Sequence, residues 1–277
     1  VKILVTGSAG QLGTVLPAAL KGHELVGLTR AELDITKLAQ VREAVRGHSP
    51  ALLLNAAAYN HVDAAENDSS SAFRVNALGP RNLALAAEEL GLPLVHFSTD
   101  YVFDGSSPEP YDEWCIPHPL SVYAKSKLAG EEAVRELCRR HVIVRTAWVY
   151  AVSGKNFPLT ILDLAQKGEV RVVDDQVGCP TYAPHLAEAV SRLIESGAYG
   201  TYHLAGAGST SWFGLARVLF DRLGVKTPLF PVKTVDFPRP ARRPSRVVLT
   251  TLQDPEIRLP AWEEGVHAFA AALRSPR

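Results

Sequence analysis

The sequence predicts an α/β protein built on a doubly wound parallel sheet, with a smaller, discontinuous C-terminal lobe. Three observations predict it. Short apolar runs alternate with longer amphipathic stretches through residues 1–150; a glycine-rich turn follows the first run; and past residue 150 the rhythm gives way to chain rich in proline and glycine. Strands covered on both faces read as continuous apolar runs, and their crossovers are right-handed, which leaves the doubly wound arrangement as the natural one.

In chain order, strands are expected at 2–5, 24–28, 51–55, 94–98 and 142–145, each a short run of Val, Ile or Leu. Between them the clearest helices are expected at 71–90 and 123–140. Residues 183–196 read as one further helix and 200–204 as a strand returning to the sheet. The proline-rich stretch 227–244 reads as an ordered, irregular surface that helps to enclose a ligand. No internal repeat or low-complexity tract interrupts this plan.

Composition narrows the function classes. With 29 basic against 29 acidic residues, nothing in the overall charge points to nucleic acid or an anionic membrane surface. No apolar run approaches the length of a membrane span, and the strand-like start leaves no room for a leader peptide. Cys115, Cys138 and Cys179 are far apart and odd in number, so a reduced, cytoplasmic setting is expected. The nine histidines show no paired ligand spacing, and no metal site is expected.

The glycine turn is Gly7-Ser8-Ala9-Gly10-Gln11-Leu12-Gly13, spaced G-x-x-G-x-x-G. Glycines at a strand-to-helix turn let backbone N–H groups approach a pyrophosphate; the competing reading is a close-packing turn. With this turn the sheet reads as Rossmann-type. A dinucleotide-binding domain is then expected over 1–150 with a returning helix and strand around 183–205, and a substrate-binding lobe over 151–182 and 206–277.

The second strand ends Leu28-Thr29-Arg30, followed by Glu32 and Asp34. An acidic residue at the strand end favours NAD, whereas an arginine accommodates a 2′-phosphate. Arg30 therefore tilts the reading to NADPH, with NADH possible; a solvated loop arginine is the other reading. Asp34, in Leu33-Asp34-Ile35, is expected near the adenine. Asn55-Ala56-Ala57-Ala58-Tyr59, with Asn60 after it, supplies small side chains along which a flat cofactor can lie, although helix-to-sheet packing explains small residues equally well.

Tyr123-Ala124-Lys125-Ser126-Lys127 places Tyr123 and Lys127 four residues apart, on one helix face. A nearby ammonium is expected to lower the tyrosine pKa and make Tyr123 a proton donor to a substrate oxygen. Ser98-Thr99, at a strand end, offers the hydroxyl that orients that oxygen.

The chain resembles the extended short-chain dehydrogenase/reductase family along nearly its whole length. The blocks that carry the resemblance are residues 55–59 with Val62-Asp63-Ala64-Ala65-Glu66, then Ser98-Thr-Asp-Tyr-Val-Phe-Asp-Gly105 and Tyr123 to Lys127 leading into Ala129-Gly130-Glu131. Arg145-Thr-Ala-Trp-Val-Tyr150, Asn156-Phe157 and Val173-Asp-Asp-Gln-Val-Gly-Cys-Pro-Thr181 follow. The resemblance implies that Thr99, Tyr123 and Lys127 form the catalytic triad, with Tyr123 the proton donor and Lys127 also holding the nicotinamide ribose. It implies a pyrophosphate loop at Gly10, Gln11 and Leu12, cofactor-lining positions at Ala58, Tyr59 and Phe97, and sugar-nucleotide contacts at Asp100 and Trp148. Trp148 also reads as a core residue. Asn76 resembles the family's helix asparagine near the active site, and a structural amide is an equal reading.

Arg239, Arg242 and Arg243, in Phe237-Pro-Arg-Pro-Ala-Arg-Arg-Pro244, are candidates for a diphosphate, because guanidinium groups bind phosphate oxygens bidentately; charges on a solvated loop are the alternative. Of these, Arg242 and Arg243 are taken as the substrate ligands. The adjacent Pro244-Ser245 makes this loop shorter than the family's usual one. The resemblance implies NADPH-dependent reduction of the 4-keto group of dTDP-4-dehydro-L-rhamnose to dTDP-L-rhamnose, by a monomer or homodimer. Two alternatives stand beside it: another nucleotide-sugar reductase or epimerase, and a non-catalytic dinucleotide-binding regulatory subunit.

Overall fold

The computed structural model describes residues 1–253 and 255–274. Five strands form in the first part of the chain: β1 (Lys2–Thr6), β2 (Glu24–Leu28), β3 (Leu52–Asn55), β4 (Leu94–Thr99) and β5 (His141–Thr146). The returning strand Gly200–His203 joins the far side of β5, and the sheet runs β2–β1–β3–β4–β5–returning strand, every pair parallel. The chain leaves β1 toward one edge and comes back at β3 to build toward the other. That reversal opens a crevice beyond the carboxyl ends of β1 and β3, where ligands of open α/β sheets bind.

Period-two alternation sends the apolar residues of these strands to two opposite cores. Ile3, Val5, Leu54, Val95 and Val144 face a core closed by the helix Ala183–Ser196. Leu4, Leu53, Leu94 and Ile143 face a second core under the helices Leu38–His48, Gly79–Glu89 and Val122–Leu137. Both faces are covered, so the apolar residues of both alternate rows are buried, and polar members such as His96 and Arg145 are buried with them.

The helix expected at 71–90 forms in three joined pieces: Ser69–Phe73, a π-helical turn Arg74–Leu78, and Gly79–Glu89. Pro80 has no N–H to give the carbonyl four residues back, and its ring crowds that carbonyl, so the turn before it widens. The next helix starts where Ser121 accepts a hydrogen bond from the Ala124 N–H at 3.2 Å, and it ends at Leu137 because Cys138 is already extended.

The stretch 227–244 is less irregular than expected. Leu229–Val232 pairs in parallel with Val170–Val173, and Pro231 is tolerated because this two-stranded ribbon leaves it on an edge. The helix Trp262–Arg274 packs with Trp212–Leu223 around Tyr150, Tyr182 and Phe269. Among the described residues, no helix is long and apolar enough to cross a membrane.

Candidate active site

A cleft runs along the carboxyl ends of the strands as two hollows of about 560 and 440 Å3, joined through Gly10, Ala56, Ala57, Ala58 and Asn60. The larger hollow is bordered by Gly7, Arg30, Asp34, Ile35 and Tyr59. Gly7 has φ +73°, and a Cβ there would lie 2.6 Å from the Ala57 nitrogen, so the loop reaches the β3 chain only because it carries no side chain. Asp34 accepts from the Thr36 hydroxyl at 2.7 Å, and that bond, reinforced by Lys37 and Arg30, holds its carboxyl below the usual range. Arg30 stands exposed at the rim. Gln11 and Leu12 line the smaller hollow, while Gly13 borders neither and closes the turn against Ser8.

The wall formed by Ala58, Tyr59 and Asn60 is held from behind. Asn76 accepts from the Tyr59 N–H at 2.8 Å and donates to the Tyr59 carbonyl and the Ser126 hydroxyl, both at 3.0 Å. Its amide donors are thereby occupied, and Asn76 ties this wall to the helix that carries Tyr123 and Lys127.

That helix turns Tyr123 and Lys127 inward, and both line the smaller hollow with Phe97, Thr99, Asp100 and Trp148. The Thr99 hydroxyl donates to Asp100 Oδ1 at 3.0 Å and accepts from the Tyr101 N–H at 3.2 Å, and Tyr123 lines the same hollow beside it. Burial pushes Tyr123 up to about 12; the Thr99 hydroxyl nearby opposes this and the neighbouring Asp100 adds to it. The ammonium of Lys127 donates to the Phe97 carbonyl at 2.6 Å, and burial brings it down to about 8 against the pull of Glu131. The expected lowering of Tyr123 by Lys127 is not found: the loss of water around the phenol sets the direction, and the Asp100 charge pushes the same way. Asp100 is pushed up to about 7, again by burial, with its hydrogen bond from Thr99 acting the other way.

Two further hydroxyls border the same hollow. Ser98 Oγ and Thr146 Oγ1 are buried without a hydrogen-bond partner, and Thr146 lies directly across from Thr99 in the β4–β5 register. Buried polar atoms are seldom left unpaired, so donors and acceptors placed here suit a polar ligand. Together with the glycine loop, the Arg30 rim and the Lys127 ammonium, they fit a nicotinamide dinucleotide laid across both hollows.

The far wall is aromatic. Trp148 stacks on Trp212 with ring centroids 3.5 Å apart and planes 5° from parallel. Trp148 has φ +47°, a conformation that side chains seldom adopt, and its indole is pressed against Gly178. Sequence reading singled out Trp148 and missed Trp212, Thr146 and Tyr101. Trp212 opens a helix behind the Ser211 cap, with no motif to distinguish it from core. Arg242 and Arg243 border neither hollow: Arg242 is exposed, and Arg243 forms a bidentate pair with Asp63 at 2.9 Å per contact.

Comparison with known proteins places the chain among sugar-nucleotide enzymes. The RmlD substrate binding domain model matches residues 1–275. The chain is 41% identical over 285 residues to the dTDP-4-dehydrorhamnose reductase of Mycobacterium tuberculosis (strain ATCC 25618 / H37Rv), covering 99% of this chain and 93% of the relative. It is 38% identical over 273 residues to the spore coat polysaccharide biosynthesis protein SpsK of Bacillus subtilis (strain 168), covering 97% and 96%. The crystal structure of dTDP-4-dehydrorhamnose reductase from Bacillus anthracis in complex with NADP superposes with a TM-score of 0.94 at 38% identity, over 98% of this chain and 99% of that one.

Proposed function

This chain belongs to the RmlD substrate binding domain family, and from that premise we propose how its cleft carries out the reaction. The protein is an NAD(P)H-dependent oxidoreductase that reduces the 4-keto group of dTDP-4-dehydro-L-rhamnose, giving dTDP-L-rhamnose.

When bound, NADPH supplies the hydride that C4 of the sugar accepts. Gly7, Gly10, Gln11, Leu12 and Gly13 form the pyrophosphate turn, Arg30 takes the 2′-phosphate, and Asp34 and Ile35 border the adenosine. Ala58, Tyr59, Asn60 and Phe97 flank the cofactor, and Lys127 holds the nicotinamide ribose. Thr99 orients the C4 oxygen. Tyr123, kept protonated at neutral pH by its burial, gives its proton to that oxygen as charge develops on it. An alkoxide is a stronger base than a phenolate, so the transfer is downhill even from so weak an acid.

Asp100 and Trp148 hold the sugar. Arg242 and Arg239 are exposed and stand available to the diphosphate, while Arg243 is held by Asp63. The body over 1–150 with 183–205 binds the dinucleotide, and 151–182 with 206–277 forms the substrate lobe. A cytoplasmic setting, with a monomer or homodimer as the working unit, completes the reading.

The observation that carries it is the meeting of Thr99, Tyr123 and the buried Lys127 in one hollow, at the carboxyl end of β4 and at the end of a glycine-turn cleft. Tyr123→Phe should lower kcat by ~10²–10⁴-fold with NADPH affinity intact, since positioned proton donors contribute on that scale. An assay with freshly prepared keto sugar, following nicotinamide absorbance with NADPH and NADH, reads this directly. Unchanged turnover in the variant would remove Tyr123 from its role.

A further inference from the structure

We propose that Asn55 is a positioning residue for Lys127: it takes the Ala57 N–H onto its own side chain and so leaves the Phe97 carbonyl free to hold the ammonium. The proposal rests on the reading of Lys127 as the group that binds the nicotinamide ribose.

The register shows what is displaced. Strands β3 and β4 run parallel, with Leu53 opposite Leu94 and Asn55 opposite His96. The Leu53 N–H donates to the Pro93 carbonyl at 2.9 Å, and in a parallel ladder such bonds recur at every second residue of each strand. Continued without a break, the ladder would set the Ala57 N–H on the Phe97 carbonyl. It breaks instead. The Ala57 N–H donates to Asn55 Oδ1 at 3.2 Å, and the Phe97 carbonyl accepts from Lys127 Nζ at 2.6 Å. The Ala56 N–H stays on the Thr6 carbonyl of β1 at 3.0 Å, so the chain parts from β4 while still joined to β1.

The Asn55 amide is held in one orientation. Its Oδ1 also accepts from the Thr6 hydroxyl at 2.7 Å, and its Nδ2 lies 2.9 Å from His96 Nδ1. A backbone N–H can only donate, so the amide oxygen must face Ala57, and the amide nitrogen then donates to His96. Thr6, Asn55, His96 and Lys127 are all buried, so water does not compete for these bonds. Without Asn55, the Ala57 N–H would turn to the acceptor in register with it, which is the Phe97 carbonyl. Lys127 would lose its anchor.

The anchor matters because of where it stands. Lys127 commits one of its three N–H donors to the Phe97 carbonyl, and this fixes where along the catalytic hollow the other two are presented. Asn55 touches no part of that hollow itself.

A double-mutant cycle tests the link, with NADPH affinity measured by fluorescence titration for Asn55→Ala, Lys127→Met and the double variant. Asn55→Ala should weaken NADPH binding about tenfold in the otherwise unchanged protein, the scale of one hydrogen bond to a charged group. On the Lys127→Met background it should weaken binding by less than about twofold. Asn55→Ser should recover part of the loss, because a serine hydroxyl can also accept from the N–H two residues on. A second measurement does not depend on the cofactor: acetylation of Lys127 by acetic anhydride before NADPH is added, read by mass spectrometry. Released from its carbonyl, Lys127 in Asn55→Ala should react several-fold faster.

Three results overturn the proposal. One is an equal loss of affinity on the Lys127→Met background, which would mean that Asn55 acts through the alanines that follow it. The others are an unchanged rate of acetylation, or unchanged NADPH affinity in Asn55→Ala although Lys127→Met lowers it. If Lys127→Met binds NADPH normally while Asn55→Ala speeds acetylation, the ribose assignment fails and the positioning stands. If Asn55→Ala does not fold, Thr6→Val, which removes the hydroxyl steadying Oδ1, takes its place with the same directions expected.

Discussion

Asn156 donates its side-chain amide to Oε1 of Gln11 at 3.1 Å, joining the glycine turn to a residue 145 positions along the chain. Gln11 returns a hydrogen bond from Nε2 to the Lys155 carbonyl, also at 3.1 Å. Asn156 in turn caps the helix Phe157–Ala165 and donates to the Ala151 carbonyl at 2.7 Å, three residues past the Trp148 wall. One side chain from the glycine turn thus reaches the segment that follows Trp148.

Gln11→Ala should therefore weaken the coupling between the two ligands. Two hydrogen bonds are lost, each contributing about 0.5–1.5 kcal/mol, so urea unfolding should show roughly 1–3 kcal/mol less stability. Titration calorimetry of the sugar nucleotide with and without NADP should show the enhancement by cofactor falling several-fold. Full enhancement in the variant would mean that the contact transmits nothing.

Gly178→Ala should act on the sugar and leave the cofactor alone. A Cβ at 178 would lie 2.6 Å from Cε2 of Trp148, so the indole must shift or its stack on Trp212 must open. We expect the sugar-nucleotide KM to rise about tenfold, on the order of 1.4 kcal/mol, at unchanged NADPH affinity. Steady-state kinetics with each substrate varied in turn distinguishes the two.

The affinity for NADPH should fall as pH rises past about 8, the value to which burial brings Lys127. Below it the ammonium is available to the ribose; above it the contact loses its charge. Stability runs the opposite way. Between pH 8 and the ordinary lysine value of 10.5 the unfolded chain keeps a proton that the folded chain has released, so the penalty of burying this charge fades with rising pH. Fluorescence titration on either side of pH 8 should show the affinity loss in the wild type, and Lys127→Met should show a flat profile.

Arg30→Ala should narrow the preference for NADPH over NADH. Arg30 is an exposed cation at the rim of the larger hollow, which Arg74 also borders, and it lies beside an Asp34 whose carboxyl stays ionised. Removing it should raise the NADPH KM by tenfold or more, and NADH, which carries no 2′-phosphate, should change by less than twofold. Equal effects on both cofactors would place the arginine elsewhere than at that phosphate.

Much of the frame was legible because its causes are local. The helix Ala183–Ser196 begins beside Pro184 and ends at Gly197 in the left-handed region, so propensity marks both ends. The strand Leu229–Val232 was hidden by its own Pro231, which reads as a breaker unless the ribbon edge is known. Trp212 was indistinguishable from core until its stack with Trp148 was seen. Arg243 read as a phosphate ligand because nothing in its own stretch of chain betrays Asp63.

The sequence by itself determined the strands, the glycine turn, and the placing of Tyr123 and Lys127 on one helix face. Each of these depends on residues a few positions apart, through steric limits, helical period and burial pattern. Only the tertiary structure decided that burial raises Tyr123, that Asn76 braces the wall at 58–60, and that Arg243 is engaged while Arg242 is exposed. Desolvation and ion pairing depend on which distant segments meet, and that is settled when the chain closes on itself.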